Sequence, residues 1–256
     1  PFVELNGGKT IAIQLEAPLY SINWDLVKQK INSRTKMIII NTPQNPSGRI
    51  FSKSDMLKLQ EITKGTNILV LSDEVYEHII FDNEKHQSAC LFPDLKSRSL
   101  VVASFGKTFH NTGWKTGYCC APKELTEEFR KVHQFNVFCV NHPVQKGLAE
   151  YLKEPSHYLE LSQFYQEKRD LFLSLIEPSR FKFIPSMGTY FQVLDYSEIT
   201  IENDVEFAKR LVIESGIAAI PLSVFNSHNL DNKVLRFCFA KTNHTLQEAA
   251  EILNAI

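Results

Sequence analysis

No apolar run in this 256-residue chain approaches the ~18 residues that a membrane span needs, and no basic-then-apolar leader pattern marks a signal peptide. Cysteine is scarce and unpatterned. Its five copies, Cys90, Cys119, Cys120, Cys139 and Cys238, are odd in number and never stand as CxxC, which argues against a disulfide framework and against a thiolate metal site. Surplus charge is missing too. The 28 Lys and Arg face 29 Asp and Glu, a net charge of −1, so there is no basic surplus for nucleic acid or for an anionic membrane. None of the ten glycines forms GxGxxG, the usual dinucleotide turn. Internal repeats and low-complexity linkers are absent. Reduced thiols without a leader give the expectation of a cytoplasmic protein.

What is present is ordinary globular composition, 43% hydrophobic and 22% charged, enough for one large domain or two smaller ones. The chain opens on Pro1, with Phe2-Val-Glu-Leu already patterned as structured sequence, so residues are expected upstream. Strands are predicted at Thr10–Glu16, Lys36–Asn41, Asn67–Ser72, Leu100–Ser104 and Gly117–Ala121, several apolar on both faces as buried strands are. A helix between the second and third is marked by Ser52 as N-cap, Asp55 three residues on, apolar Met56, Leu57, Leu59 and Ile62, and Gly65 at its end. Such alternation predicts an α/β layer with a mostly parallel sheet.

Beyond that layer the pattern changes. A long amphipathic helix runs from Pro155 to Pro178, with Tyr158, Leu161, Tyr165, Phe172 and Leu175 roughly on one face. Strands follow at Lys182–Ile184, Thr189–Leu194 and Val234–Phe239, with a helix Val205–Ser215 closed by Gly216 and a last helix opened by the box Thr245-x-x-Glu248. The division expected is a large α/β domain over residues 1–155 and a smaller α+β domain over 156–256.

Lys107 is the residue of greatest chemical interest. It stands just after an apolar strand, in a turn crowded with hydroxyls and glycines, where an amine is a candidate for imine formation with a phosphorylated aldehyde cofactor. Two decoys surround it. Gly106-Lys107-Thr108 ends like a nucleotide-binding loop, but the glycine required at position 101 is Val101. Ser104-x-x-Lys107, Ser72-Asp73 and Lys115-Thr116-Gly117 imitate the penicillin-binding signatures, yet in the wrong order and with the last element only eight residues from Lys107.

Three more segments join it. Asn41-Thr-Pro-Gln-Asn-Pro-Ser-Gly48 is a rigid turn that can fix Asn45 as a directional hydrogen-bond donor. Ser72-Asp73-Glu-Val-Tyr76 places a carboxylate and a phenol at the carboxyl edge of a strand, where open α/β sheets bind ligands. Leu235-Arg236-Phe-Cys-Phe239 sets one cation among apolar residues. Each has a plain alternative: a common Asn-Pro turn, a helix-capping Asp, a surface arginine pair. His78, His110, His133 and His142 are read as structural, no pair having ligand spacing in a convincing context.

Together, with Gly113-Trp-Lys-x-Gly117, these segments closely resemble the class I and II aminotransferases, fold-type-I pyridoxal-phosphate enzymes. The likeness spans nearly the whole chain, and its wording is most similar to the kynurenine–glutamine and methionine aminotransferase branch. The resemblance implies a PLP-binding large domain with a mostly parallel sheet and a smaller C-terminal domain. It implies that Lys107 holds pyridoxal 5′-phosphate as an imine and shuttles the substrate proton, while Asp73 pairs with the pyridine nitrogen. Asn45 and Tyr76 would donate to the ring's 3′-oxygen. Ser104 and Lys115 would bind the phosphate, lysine standing where many relatives have arginine. Arg236 would clamp the substrate α-carboxylate bidentately, with Asn45 touching it too.

The implied activity is ping-pong transfer of an amino group from an α-amino acid (methionine, glutamine or an aromatic one) to a 2-oxo acid. The implied assembly is a homodimer with shared active sites, Phe135-Asn-Val-Phe138 facing the partner's pocket. Family members carry a glycine-rich helix start and a ring-stacking aromatic in an N-terminal segment, expected here upstream of Pro1. The competing readings are a C–S β-lyase on the same fold and a non-catalytic cofactor-binding fragment or regulatory module; the last would need a DNA-binding element that this chain does not supply.

Overall fold

In the computed structural model, which describes residues 2–256 and so leaves Pro1 outside, the apolar runs flanking the Ser52 helix pair side by side. Strands β1 (Met37–Asn41), β2 (Leu69–Asp73) and β3 (Ser99–Ser104) are parallel, with Asn41 opposite Asp73 and Asp73 opposite Val102. A fourth strand, β4 (Gly117–Cys120), adds antiparallel to β3 and sets Gly117 opposite Ser104. The order β1-β2-β3-β4 makes the sheet mostly parallel, as expected. Its register ends β1, β2 and β3 at one edge, on Asn41, Asp73 and Ser104, each followed by a segment singled out above.

The Lys53–Thr63 helix opens with the anticipated capping box: Ser52 Oγ accepts from the Asp55 N–H, and the Asp55 carboxylate accepts from the Ser52 N–H. Met56 and Leu59 are buried against β1 and β2, with Val70, Leu95 and Val101 in the same core, whereas Leu57 faces out.

A second sheet is antiparallel, in the order β5 (Phe191–Asp195), β7 (Val234–Cys238), β6 (Ile220–Pro221). It shares a core with the helices Leu161–Ile176, Asp204–Ser215 and Asn243–Ala255. Tyr76, Ile79 and Phe81, which follow β2, belong to this second core. Backbone bonds fasten the joint: Thr189 N–H donates to Ile79 O at 3.0 Å, and Phe81 N–H to Met187 O at 2.9 Å. Gly188 sits where a Cβ would lie 2.8 Å from Ile79 O, so only glycine lets the two chains approach this closely. The joint brings β7, and with it Arg236, to the carboxyl edge of the first sheet.

Four element predictions need correction. Thr10–Glu16 is not a strand; it has no ladder partner among the described residues beyond the single bridge of Glu16 to Ser21. Lys182–Ile184 is likewise reduced to one bridge, Lys182 to Asp195. The helix expected from Pro155 to Pro178 breaks into a turn, Ser156–Leu159, and the helix Leu161–Ile176, whose buried positions include Tyr165, Phe172, Leu173 and Ile176. The last helix begins one turn early. Thr242 caps it by accepting from the Thr245 N–H, and Glu248 pairs with His244 four residues back instead of closing a box.

Patterning also hid a buried cation. Arg169 is 3% exposed in the middle of the Leu161–Ile176 helix. Its guanidinium forks onto both oxygens of Asp82 at 2.7 Å, donates to Ser186 O at 2.7 Å and lies over the Phe81 ring. A desolvated arginine is tolerated because nearly every donor is used.

Candidate active site

Asp73 is the last residue of β2. Its side chain is half-buried, and its one hydrogen bond among the described residues comes from the Val75 N–H at 3.3 Å. Desolvation holds its carboxyl above the usual range, while the Val75 N–H and the charge of nearby Lys107 pull the other way. A carboxylate so poorly compensated favours a cation set against it.

Lys107 lies in a one-turn helix, Phe105–Thr108, that starts directly at the end of β3. Gly106 packs tightly in that turn: a Cβ there would meet Thr112 Cα at 3.0 Å and Ser104 Oγ at 3.2 Å. Ser104 thus borders a small cradle between the Lys107 turn and the Thr112–Trp114 turn. Lys115 follows that second turn with φ 54°, exposed and with no side-chain hydrogen bond or ion pair among the described residues. No contact joins it to Ser104; the two share only the β3–β4 edge.

Asn45 and Arg236 meet directly. Asn45 is anchored by its N–H on Asn41 Oδ1 at 2.9 Å, and its own Oδ1 accepts from Arg236 Nη1 at 2.6 Å. That orientation leaves the Asn45 amide N–H groups to donate elsewhere. Arg236 stacks on Phe191, its Cζ 4.0 Å from the ring centroid, with Phe225 at 5.8 Å. Burial lowers the Arg236 pKa, though the tyrosines around it partly restore it; it remains the cation of the site.

Tyr76 is buried at 2% exposure, its ring edge-on to Tyr190 at 5.3 Å and to Phe191 at 6.2 Å. Burial first, then the charge interaction with Tyr190 and a hydrogen bond that Tyr76 donates to it, push its pKa far up, so Tyr76 keeps its proton at ordinary pH.

Glu74, fully buried beside Asp73, is spent on structure. Its Oε1 accepts from Ser72 Oγ at 2.7 Å and the Ala89 N–H at 3.0 Å, and its Oε2 lies 2.6 Å from His86 Nε2. Burial raises its pKa, but the His86 bond and charge outweigh this and hold it below the usual carboxylate value. A depressed carboxylate contributes stability above its unfolded pKa of about 4.3 and loses it as pH falls through the folded value. We therefore expect His86→Ala to cost about 2–3 kcal/mol in denaturant unfolding at neutral pH. The deficit should shrink as the pH falls through that range; equal midpoints at neutral pH would show that the pair adds nothing.

Sequence reasoning missed Tyr190, Phe191 and Phe225. Only the clustering of aromatics around Gly188 and Arg236 could have signalled them. Three of the four histidines read as structural have packing or hydrogen-bonding neighbours: His110 bonds the buried Tyr165 hydroxyl, His78 faces Tyr158 and His133 faces Phe129, while His142 is exposed. A separate cavity of about 250 Å³ lies behind the Lys107 turn, lined by Phe105, Thr108, Phe109, Tyr118 and Tyr158 among others, and none of the candidate site residues borders it.

The donor set fits pyridoxal phosphate: an amine, an under-compensated carboxylate, two donors between them and the Arg236 clamp, and a glycine-lined cradle with Ser104. The comparisons agree. The family model for class I and II aminotransferases matches residues 1–253. A methionine aminotransferase of Escherichia coli K12 is 44% identical over the whole chain, which spans 67% of that protein. A kynurenine–oxoglutarate transaminase of Dictyostelium discoideum is 32% identical over 91% of this chain and 60% of its own length. A crystal structure of YbdL from Escherichia coli, reported to have a methionine aminotransferase function, superposes with a TM-score of 0.96 at 44% identity, covering 98% of this chain and 67% of that one. The chain therefore spans about two thirds of the length of such relatives, and it belongs to the class I and II aminotransferases, a family that uses pyridoxal phosphate.

Proposed function

We propose that this chain catalyses transfer of the amino group of an α-amino acid to a 2-oxo acid, with Lys107 as the covalent anchor of the cofactor. The observation that carries this reading is the meeting of Arg236 and Asn45, 191 residues apart, beside Tyr76 and on the same sheet edge as Asp73 and Lys107. When bound, pyridoxal phosphate supplies an aldehyde carbon and an electron-withdrawing ring.

This chain's own residues do the rest. Lys107 would hold the cofactor and, as a free amine, would move the proton from the substrate Cα. Asp73 keeps a proton on the ring nitrogen, the cation that its desolvated carboxylate favours. Tyr76 and the Asn45 amide donate to the ring's 3′-oxygen. Ser104 and Lys115 bind the phosphate, Lys115 as a point charge. Arg236 grips the α-carboxylate that donor and acceptor share, so one clamp serves both half-reactions.

Methionine, glutamine and aromatic amino acids are the proposed donors, a choice supported by the methionine and kynurenine names of the relatives. We also propose a cytoplasmic homodimer with shared sites. Exposed Phe129, Val132, Phe135 and Phe138, on and just after the Lys123–Asn136 helix, support a partner there. The proposed domain boundary stays at residues 155 and 156.

The test is borohydride reduction of the purified protein with pyridoxal phosphate, followed by intact mass and peptide mapping, together with product analysis. One pyridoxyl-phosphate adduct on Lys107 and a new amino acid are expected. Pyruvate, ammonia and a thiol would instead mark a C–S lyase. No adduct would overturn the reading.

A further inference from the structure

A loop brings Phe225 to within 5.8 Å of the Arg236 guanidinium, and one distant side chain holds that loop. The segment after β6 makes two tight turns, Ser223–Phe225 and Ser227–Asn229. His228, Asn229 and Lys233 all sit at positive φ, 57°, 54° and 59°. Left-handed backbone is tolerated by Asn229 and His228 and costs Lys233 more, so contacts beyond these turns help to hold the loop. Part of the support is internal: Asn226 Nδ2 donates to Leu230 O at 2.7 Å, and Lys233 N–H to Asp231 Oδ1 at 2.7 Å.

The external support is Gln14. Its Nε2 donates to Asn226 Oδ1 at 2.9 Å, and its Oε1 accepts from the Ser227 N–H at 2.9 Å. Both ends of one amide therefore grip two adjacent residues more than 200 positions away along the chain. The same Nε2 also reaches Leu15 O at 2.9 Å, which fixes the amide orientation. Gln14 lies in the extended segment that forms no strand, and these contacts give that segment a purpose.

The residue just before the gripped pair is Phe225. Its ring is about half exposed, and its centroid lies 5.8 Å from Arg236 Cζ, with Phe191 occupying the closer position at 4.0 Å. Phe225 is thus a large apolar surface at the mouth of the carboxylate clamp. Arg236 is the one cation seated over the Phe225 and Phe191 rings among the described residues.

We propose that Phe225, held in place by Gln14, is a specificity-determining residue that walls the substrate pocket beside Arg236 and favours amino acids with uncharged apolar side chains. The proposal rests on the aminotransferase reading and deepens it. A substrate gripped by its α-carboxylate at Arg236 lays its next carbons against this wall. An apolar chain gains by covering the ring, whereas a second carboxylate set against these rings loses its hydration. Gln14 acts through Phe225 and is a positioning residue.

The test uses the cofactor-loaded protein and two unreactive carboxylates, 3-phenylpropanoate and glutarate, with affinity read from the cofactor absorbance band, alongside kcat and KM for methionine. In Phe225→Ala, 3-phenylpropanoate should bind about ten-fold more weakly and glutarate unchanged, with KM for methionine rising and kcat nearly constant. Gln14→Ala should move the same quantities in the same direction by a smaller factor, and Phe225→Leu should recover part of the loss. Unchanged discrimination in folded, active Phe225→Ala and Gln14→Ala proteins would overturn the proposal and leave the aminotransferase reading standing. A wild-type protein that neither takes up the cofactor nor transaminates any amino acid would overturn that reading, and this proposal with it.

Discussion

Lys107→Ala is expected to lower transamination by at least about a thousand-fold, because in the proposed mechanism one side chain would serve as covalent anchor and proton carrier, and general acid–base work alone is worth about 10²–10⁴. The fold should survive. The Lys107 side chain makes no hydrogen bond or ion pair among the described residues, and alanine is a good residue for the short helix it occupies. Thermal unfolding should therefore move by no more than a surface substitution moves it, about 0.5 kcal/mol. The borohydride adduct should vanish from that peptide, while the cofactor is still held without a covalent bond by Asp73, Tyr76 and the Ser104 cradle. Partial rescue by a small added amine would separate loss of the base from loss of the site. Undiminished transamination by a folded Lys107→Ala protein would sink the assignment.

Much of this site was readable before the fold because its parts lie at strand ends. Asn41, Asp73 and Ser104 finish three neighbouring parallel strands, and β-branched runs followed by Asn-Pro, Asp-Glu or Ser-Phe-Gly-Lys announce such ends locally. The Ser52 capping box was equally local and was found. What could not be read depends on contacts far apart in sequence. Arg236 looked like any arginine in a strand until the Ile79–Thr189 and Phe81–Met187 bonds carried it to Asn45.

Residues 10–16 illustrate the opposite error. Their alternating apolar pattern suits a strand, but a strand needs a neighbour, and this segment spends Gln14 on the loop above Arg236 instead. Arg169 escaped notice for a related reason: a helical periodicity records apolar positions and is blind to a cation buried on a fork of carboxylate oxygens. The Thr245 box failed by one turn because Thr242, three residues earlier, offers the same hydroxyl with a better-placed backbone.

Arg236→Ala should cost about 2–5 kcal/mol in kcat/KM, and the pattern of the loss is more informative than its size. Donor amino acid and acceptor oxo acid share only the α-carboxylate near the reacting carbon. If Arg236 is the proposed common clamp, removing it raises KM in both half-reactions, whereas damage to a side-chain pocket would depend on which substrate was used. Arg236→Lys should recover little. An ammonium cannot form the bidentate pair, cannot stack its plane on Phe191 at 4.0 Å, and cannot at once donate to Asn45 and present a fork to the carboxylate. Cofactor uptake should persist in both variants, since Asp73, Tyr76 and Lys107 are untouched, although the Asn45 side chain loses the partner that orients it. Single-turnover measurements of each half-reaction decide the matter. A deficit confined to one half-reaction would mean that Arg236 recognises a group specific to one substrate, and the shared carboxylate would have to be held elsewhere.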